Sequence, residues 1–305
     1  MNKKEEKTPE IIYHYCTIET FFKIINNNSI WLSDISKSND SKELNWIKER
    51  ALDFITKNMF EYSQRMKDED KLSEVPFDKY NEVKELLTLH SQLETEKCWV
   101  ICLSEKRDDL GQWRGYSQDG TGVCIGFKTS FLQKIVGDNK LSMIDDKQLH
   151  FDKVTYLGNN IDKLFDEIDN LPKITKKDEM IDLMQRTMVL SVLLSPFYKS
   201  DYFKDEEEWR LAFSMSCDEI NDGQIPSVNN DFLSSKYEYS LIRGQLISHL
   251  ELVFKNLSDG IAEIVLGPKC TLTVREVILF LISKGYMKSV DERSIRVFAS
   301  DAPYR

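Results

Sequence analysis

Residues 11–33, IIYHYCTIETFFKIINNNSIWLS, decide how this chain is read. The β-branched and aromatic run Ile11 to Tyr15 predicts a strand. Thr17 then offers an N-cap oxygen, and Phe21, Phe22, Ile24 and Ile25 supply the apolar face of a short helix. Asn26-Asn27-Asn28 stops that helix, because asparagine tolerates left-handed backbone geometry. Ser29 to Ser33 predicts a second strand. Strand, short helix and strand in quick succession open an α+β chain with a mixed or antiparallel β core.

Outward from that opening, residues 1–10 are polar and read as a flexible tail, leaving 11–305 as one catalytic-like domain. A polar loop, Asp34 to Ser41, follows the second strand. Leu44, Ile47, Leu52, Ile55 and Met59 fit a helix over 43–60, and Leu86 to Leu93 suggests another. Between them lies a charged stretch, 61–78, carrying Pro76; the whole of 42–96 reads as a helical insertion between early strands. Further strands are expected at 98–104, 123–127, 153–157, 209–214 and 261–266, with an edge strand at 295–298. Leu110 to Tyr116 predicts one helical turn or an ordered loop. Leu183 to Leu193 predicts a buried helix ending before Pro196, and Thr273 to Lys284 a last helix. Asn221-Asp222-Gly223 signals a tight turn, with Tyr237-Glu238-Tyr239 as an antiparallel candidate beyond it.

The composition sets limits. A chain of 305 residues with 41% hydrophobic residues, among them 16 Phe, 12 Tyr and 5 Trp, can bury a substantial core. Its net charge of -10 gives no general attraction for a phosphate backbone. The basic start Met1-Asn2-Lys3-Lys4 is followed by no apolar run, and Val189 to Phe197 and Val277 to Ile282 are too short to span a bilayer. A cytoplasmic protein with no membrane partner is therefore expected. The six cysteines, at 16, 98, 102, 124, 217 and 270, form no CxxC pair, which argues against structural zinc and against disulfides. Phosphate-loop, dinucleotide-loop, zinc-hydrolase and nucleophile-elbow motifs are all missing from the sequence.

Three segments carry candidate chemistry. His14 sits in a strand with its ring opposite to Tyr13 and Tyr15, just ahead of a helix N-terminus whose amides suit an anion. Glu206 and Glu208 share parity before a strand in which Arg210 follows them, while Trp209, Leu211 and Phe213 point to the other side. Enclosed together, two such carboxylates would repel, raising one pKa toward proton transfer; paired to Arg210, Glu208 would be structural instead. Gln112-Trp113-Arg114-Gly115-Tyr116 combines aromatics able to stack on a planar ligand with a cation able to meet phosphate or carboxylate, or else fills core.

Tyr13-His14-Tyr15, Ser29 to Ser33 with Asn39-Asp40, Cys102-Leu103-Ser104-Glu105, Trp113-Arg114-Gly115-Tyr116, Gly122 to Phe127 and Glu206 to Arg210 together resemble the bacterial family DUF2971, as do Ile264 to Pro268 and Ala302 to Arg305. The opening is also similar to that of the ADP-ribosyltransferase superfamily, particularly its nucleic-acid-modifying branches, and the resemblance implies a β core like that of an ADP-ribosyltransferase fold. That second resemblance implies NAD as cofactor, with His14, Thr17, Ser33 and Tyr116 lining its pocket and Glu208 as catalytic residue beside His14. Glu206, Arg210, Trp113 and Arg114 are secondary candidates, and no metal is implied. It further implies a nucleic-acid or protein acceptor, use as a toxin or in antiviral defence, and a neutralising partner protein. Two alternatives stand beside it: a metal-dependent nucleic-acid-processing enzyme with Glu206, Glu208 and a third acid around Mg²⁺, and a non-catalytic module using Trp113 and Tyr116 as a platform.

Overall fold

The computed structural model describes residues 8–37, 43–92, 96–136, 149–157, 174–216, 231–242, 244–292 and 294–304. It opens as the sequence predicts: β1 (Ile11–Cys16), α1 (Ile18–Asn27) and β2 (Ser29–Asp34). Thr17 caps α1 by accepting from the Thr20 amide, and Asn28 closes it in the left-handed region at φ 52°. Two long helices follow, α2 (Glu43–Asp68) and α3 (Phe77–Gln92). Both reach into the charged stretch 61–78, because surface charge is compatible with a helix whose other side holds Met59, Tyr62 and Met66 in an apolar cluster.

Beyond them come β3 (Glu96–Ser104), α4 (Leu110–Tyr116), β4 (Val123–Lys128), α5 (Thr129–Val136), β5 (His150–Lys153) and β6 (Thr155–Leu157). The strand expected at 153–157 is thus two short strands meeting at Val154. The chain continues with α6 (Lys177–Leu194), β7 (Tyr198–Ser200), β8 (Glu208–Ser216), β9 (Leu233–Ile242), β10 (Gln245–Val253), β11 (Ile261–Leu266), α7 (Val274–Ser283) and β12 (Arg296–Ala299). Strand β10 is not legible in the sequence, since Gln245 to Val253 mixes polar and apolar residues on both faces. It takes β9 as its antiparallel partner, so Tyr237 to Tyr239 pairs here and not with β8. Asn39-Asp40 and Asn221-Asp222-Gly223 lie outside the described residues.

One large sheet runs β12-β11-β4-β1-β3-β2-β10-β9, and β8 joins it by pairing with β3 and β5. It is mainly antiparallel; β12 lies parallel to β11 at one end. Strand β3 is its centre. One edge of β3 pairs along its length with β8, from Glu96↔Ser216 to Ser104↔Glu208. The opposite edge is shared: β1 meets it at Tyr13↔Ser104, and β2 at Ser33↔Val100 and Asp34↔Trp99. The sheet therefore forks at β3.

Alternation along β3 and β8 separates two cores. Trp99, Ile101, Leu103, Trp209, Leu211 and Phe213 enter the main core, covered by α1, α5 and α7 through residues such as Phe21, Leu132 and Leu281. Cys98, Val100 and Ala212 face the second core, built with α2, α3 and α6. The insertion expected over 42–96 thus supplies α2 and α3 as a helical layer on one face of the central strands, with α6 added to it from later in the chain. A third small cluster holds Tyr13, Tyr15, Trp113, Cys124 and Val265, under α4. Among the described residues no helix is long and apolar enough to cross a membrane.

Close packing at the end of β1 depends on Gly122. A Cβ there would lie 2.1 Å from the Cys16 carbonyl oxygen, a backbone atom unable to swing aside. Replacing Gly122 by alanine is expected to cost about 1–3 kcal/mol of stability, the usual scale for overpacking. A urea-unfolding midpoint equal to that of the wild type would contradict this.

Candidate functional site

The fork creates the site. Along the shared edge of β3, Val100 meets β2 and Ser104 meets β1, while Cys102, the alternate residue between them, meets neither strand. Its carbonyl is satisfied by a side chain: His14 Nδ1 lies 3.1 Å away. A carbonyl only accepts, so Nδ1 carries the proton and the neutral ring keeps its Nε2 lone pair as an acceptor. Burial pulls the His14 pKa below its ordinary value of 6.5, against the opposing pull of the Cys102 hydrogen bond.

The carboxylates arrive from the far edge of β3. A 3₁₀ segment, Asp201–Glu206, ends at Glu207 in the left-handed region, φ 46°, and the turn delivers Glu208 opposite Ser104. The Ser104 hydroxyl donates to the Glu206 carbonyl at 2.7 Å, and the Glu105 amide to the Glu207 carbonyl at 3.1 Å. These bonds fix the acidic triplet against the end of β3.

Here the two acids diverge. Glu208 is 4% exposed and Arg210 only 1%. Arg210 grips Glu208 with two bonds, Nε to Oε1 at 2.8 Å and Nη2 to Oε2 at 2.9 Å, and uses Nη1 to reach the Pro196 carbonyl at 2.6 Å. Lys199, buried on β7, extends Nζ to both acids, 3.2 Å from Glu208 Oε2 and 2.7 Å from Glu206 Oε2. Tyr116 completes the group by donating to Glu206 Oε1 at 2.6 Å. Burial alone would raise the Glu208 pKa; the charge and hydrogen bonds of Arg210, with the charge of Lys199, outweigh it and hold the carboxyl below its ordinary value. The proton-sharing acid pair expected from like-charge repulsion does not form at Glu208, because two cations stand beside it. Tyr116 is held as the neutral phenol, its pKa pushed up by burial and by the charge of Glu206.

Between these groups lies a half-open hollow lined by Tyr13, His14, Tyr15, Cys102, Leu103, Gln112, Tyr116, Glu206 and Glu208, with about 60 Å³ accessible to water. His14, Tyr116, Glu206 and Glu208 are thus brought together from separate stretches of chain. Thr17 and Ser33 are not among the lining residues: Thr17 spends its hydroxyl on the cap of α1, and Ser33 is exposed on β2 between Val100 and His249. Trp113 is fully buried, edge-on to Tyr15 at 4.7 Å, with its indole N–H on Asp108. Arg114 points away over the Tyr304 ring, 4.7 Å from its centroid. The sequence reading missed Lys199 and Cys102 as wall or anchoring residues, and it named Gln112 only as the first residue of a candidate segment, with no role of its own. Lys199 gave no signal, since a lysine between a tyrosine and a serine is ordinary, whereas Gln112 lies four residues before Tyr116 and shares its helical face.

A family model described as Protein of unknown function (DUF2971) matches residues 112–211. That span runs from within α4 into β8 and includes Gln112, Tyr116, Lys199, Glu206, Glu208 and Arg210. No curated protein and no solved structure matches the chain. None of the five described cysteines forms a disulfide.

Removing the guanidinium strands a buried carboxylate, so Arg210→Met is expected to destabilise the fold by about 3–5 kcal/mol. Chemical unfolding of the purified variant checks this, and a loss under about 1 kcal/mol, on the order of an exposed pair, would count against the pairing. Two groups of the site, His14 and Glu208, have lowered pKa values, and burial lowers His249 outside it with the same sign as His14. Below 6.5 the unfolded chain takes up a proton that folded His14 refuses, and below 4.5 the unfolded chain protonates a carboxylate that folded Glu208 keeps ionised. Stability is therefore expected to fall as pH drops below 6.5 and more steeply below 4.5, with His14→Asn flattening the first part in urea titrations.

Proposed function

We propose that the hollow is the catalytic centre of an NAD-dependent ADP-ribosyltransferase, with Glu206 as the carboxylate that meets the ligand and Glu208 as its buried anchor. The observation that carries this reading is the meeting of a neutral imidazole, a phenol and a partly exposed carboxylate, His14, Tyr116 and Glu206, on one small hollow. Both acids have both oxygens engaged, Glu208 by Arg210 and Lys199 and Glu206 by Tyr116 and Lys199, but the Glu206 side chain is 20% exposed against 5% for Glu208.

The donor set fits the nicotinamide-ribose end of NAD. His14 Nε2 would accept from a ribose hydroxyl, Tyr116 orients the carboxylate, and Glu206 supplies fixed negative potential at the wall. The hollow is far smaller than the ~300–1,000 Å³ of a site enclosing a drug-sized ligand, so the rest of a dinucleotide would lie in its open mouth. NAD supplies a glycosidic bond whose cleavage leaves positive charge on the ribosyl carbon, and a preorganised carboxylate favours that charge electrostatically. A nucleic-acid or protein acceptor would approach through the same mouth. Such an activity suits a toxin or defence effector held in check by a neutralising partner protein.

The two other readings find less support. Lys199 lies between Glu206 and Glu208, where a divalent cation would have to sit, and among the described residues no group of three His, Cys, Asp or Glu is arranged to hold a metal ion. A stacking platform has no use for Trp113, whose ring is wholly enclosed.

Incubation with labelled NAD and DNA, RNA or cell lysate should release nicotinamide and transfer label. Glu206→Gln is expected to reduce this about 100-fold or more, the scale of losing one preorganised electrostatic partner. Absence of nicotinamide release from the wild type with every acceptor would end this reading.

A further inference from the structure

Gln112 is 6% exposed and lines the hollow, and its backbone amide donates to Asp109 at the cap of α4. Its side-chain amide bonds to no other described residue. A carboxamide has two N–H donors and a carbonyl acceptor, and the Gln112 amide is not among the buried unpaired side-chain atoms, so it stays open to the hollow it lines. The helix itself does not need an amide there: α4 is capped by Asp109, Trp113 is the apolar one of its two buried residues, and an apolar side chain of similar length would fill the volume of Gln112. Gln112 and Tyr116 stand one helical turn apart on the same face, so the amide and the phenol open onto one space. Tyr116 is committed to Glu206, leaving Gln112 as the wall group with both a donor and an acceptor to offer.

We infer that Gln112 reads a primary carboxamide on the ligand, pairing amide to amide so that its carbonyl accepts one N–H and its own N–H meets the ligand carbonyl. This deepens the transferase reading and rests on it for the identity of the natural ligand, since nicotinamide carries such a group. Only the carboxamide end needs to enter the hollow, which suits its size. The pairing is selective, because a ligand with the carbonyl but no N–H would cover the Gln112 acceptor and leave it unsatisfied in the complex.

Free nicotinamide and 3-acetylpyridine, which keeps the ring and carbonyl but lacks the N–H donors, separate the outcomes when titrated into the full chain by calorimetry or ligand-observed NMR. Wild type is expected to bind nicotinamide about 10-fold more tightly or better, the scale on which an unpaired polar group discriminates. In Gln112→Leu, and in Gln112→Met as a second apolar variant, the two ligands should bind alike, with unfolding midpoints no lower than wild type because no side-chain hydrogen bond of the fold is lost. Equal affinities in the wild type, or nicotinamide binding unchanged in both variants, would overturn the assignment, as would a fall in stability of both variants that marks a structural role. The two proposals fail separately. Nicotinamide release from NAD unaffected by either substitution leaves the transferase standing without Gln112; Gln112-dependent nicotinamide binding with no turnover of NAD leaves the amide reader standing without the transferase.

Discussion

Strand β3 has a single partner along one side and two partial partners along the other, and between those two the Cys102 carbonyl faces a gap. A buried carbonyl is not left unpaired, and the imidazole of His14 reaches across to fill the place that a strand amide would hold. The same contact selects the tautomer and leaves one nitrogen able to accept, while enclosure lowers the ring's basicity. The fork in the sheet, the neutral histidine and the hollow are one structural event.

On the other side of β3 the carboxylates are governed by charge balance. Two acids and two cations share a poorly hydrated space, and the balance is uneven: Arg210 grips Glu208 through two bonds, while Lys199 is divided between Glu208 and Glu206. A bidentate guanidinium fixes geometry more firmly than a lysine point charge. Glu208 is therefore the fixed member, and Glu206, held by Tyr116 and one ammonium, is the member that faces the opening. Adjacent like charges in a sequence do not reveal which of these two fates each will meet, because the groups that decide it come largely from elsewhere.

The helical layer contributes more than bulk. The Pro196 carbonyl that accepts from Arg210 and the strand that bears Lys199 both follow directly from α6, whose apolar side packs with α2 in the second core. Burial of that layer thus brings Lys199 and the Pro196 carbonyl against β8. A region that reads as a helical insertion in the sequence supports the charge network at the site by packing with α6, although none of α2 or α3 lines the hollow.

The sequence by itself determined the local elements. Periodicity and end signals placed the opening strand, its capped helix and the second strand, because Thr17 and Asn28 act on backbone groups a few residues away. Strand alternation likewise put Glu208 and Arg210 on one face and Trp209, Leu211 and Phe213 on the other. Local signals failed where partners are remote: β10 has no clear alternation, and Thr17 and Ser33, near His14 in sequence, turn to a helix cap and an exposed strand position. Only the tertiary structure decided that His14 meets Cys102, that Lys199 joins two acids and that Gln112 closes a wall. Each of those arrangements joins separate elements, and their proximity is set by which strand β3 takes on each edge, a choice made by the packing of whole layers and written in no single stretch of residues.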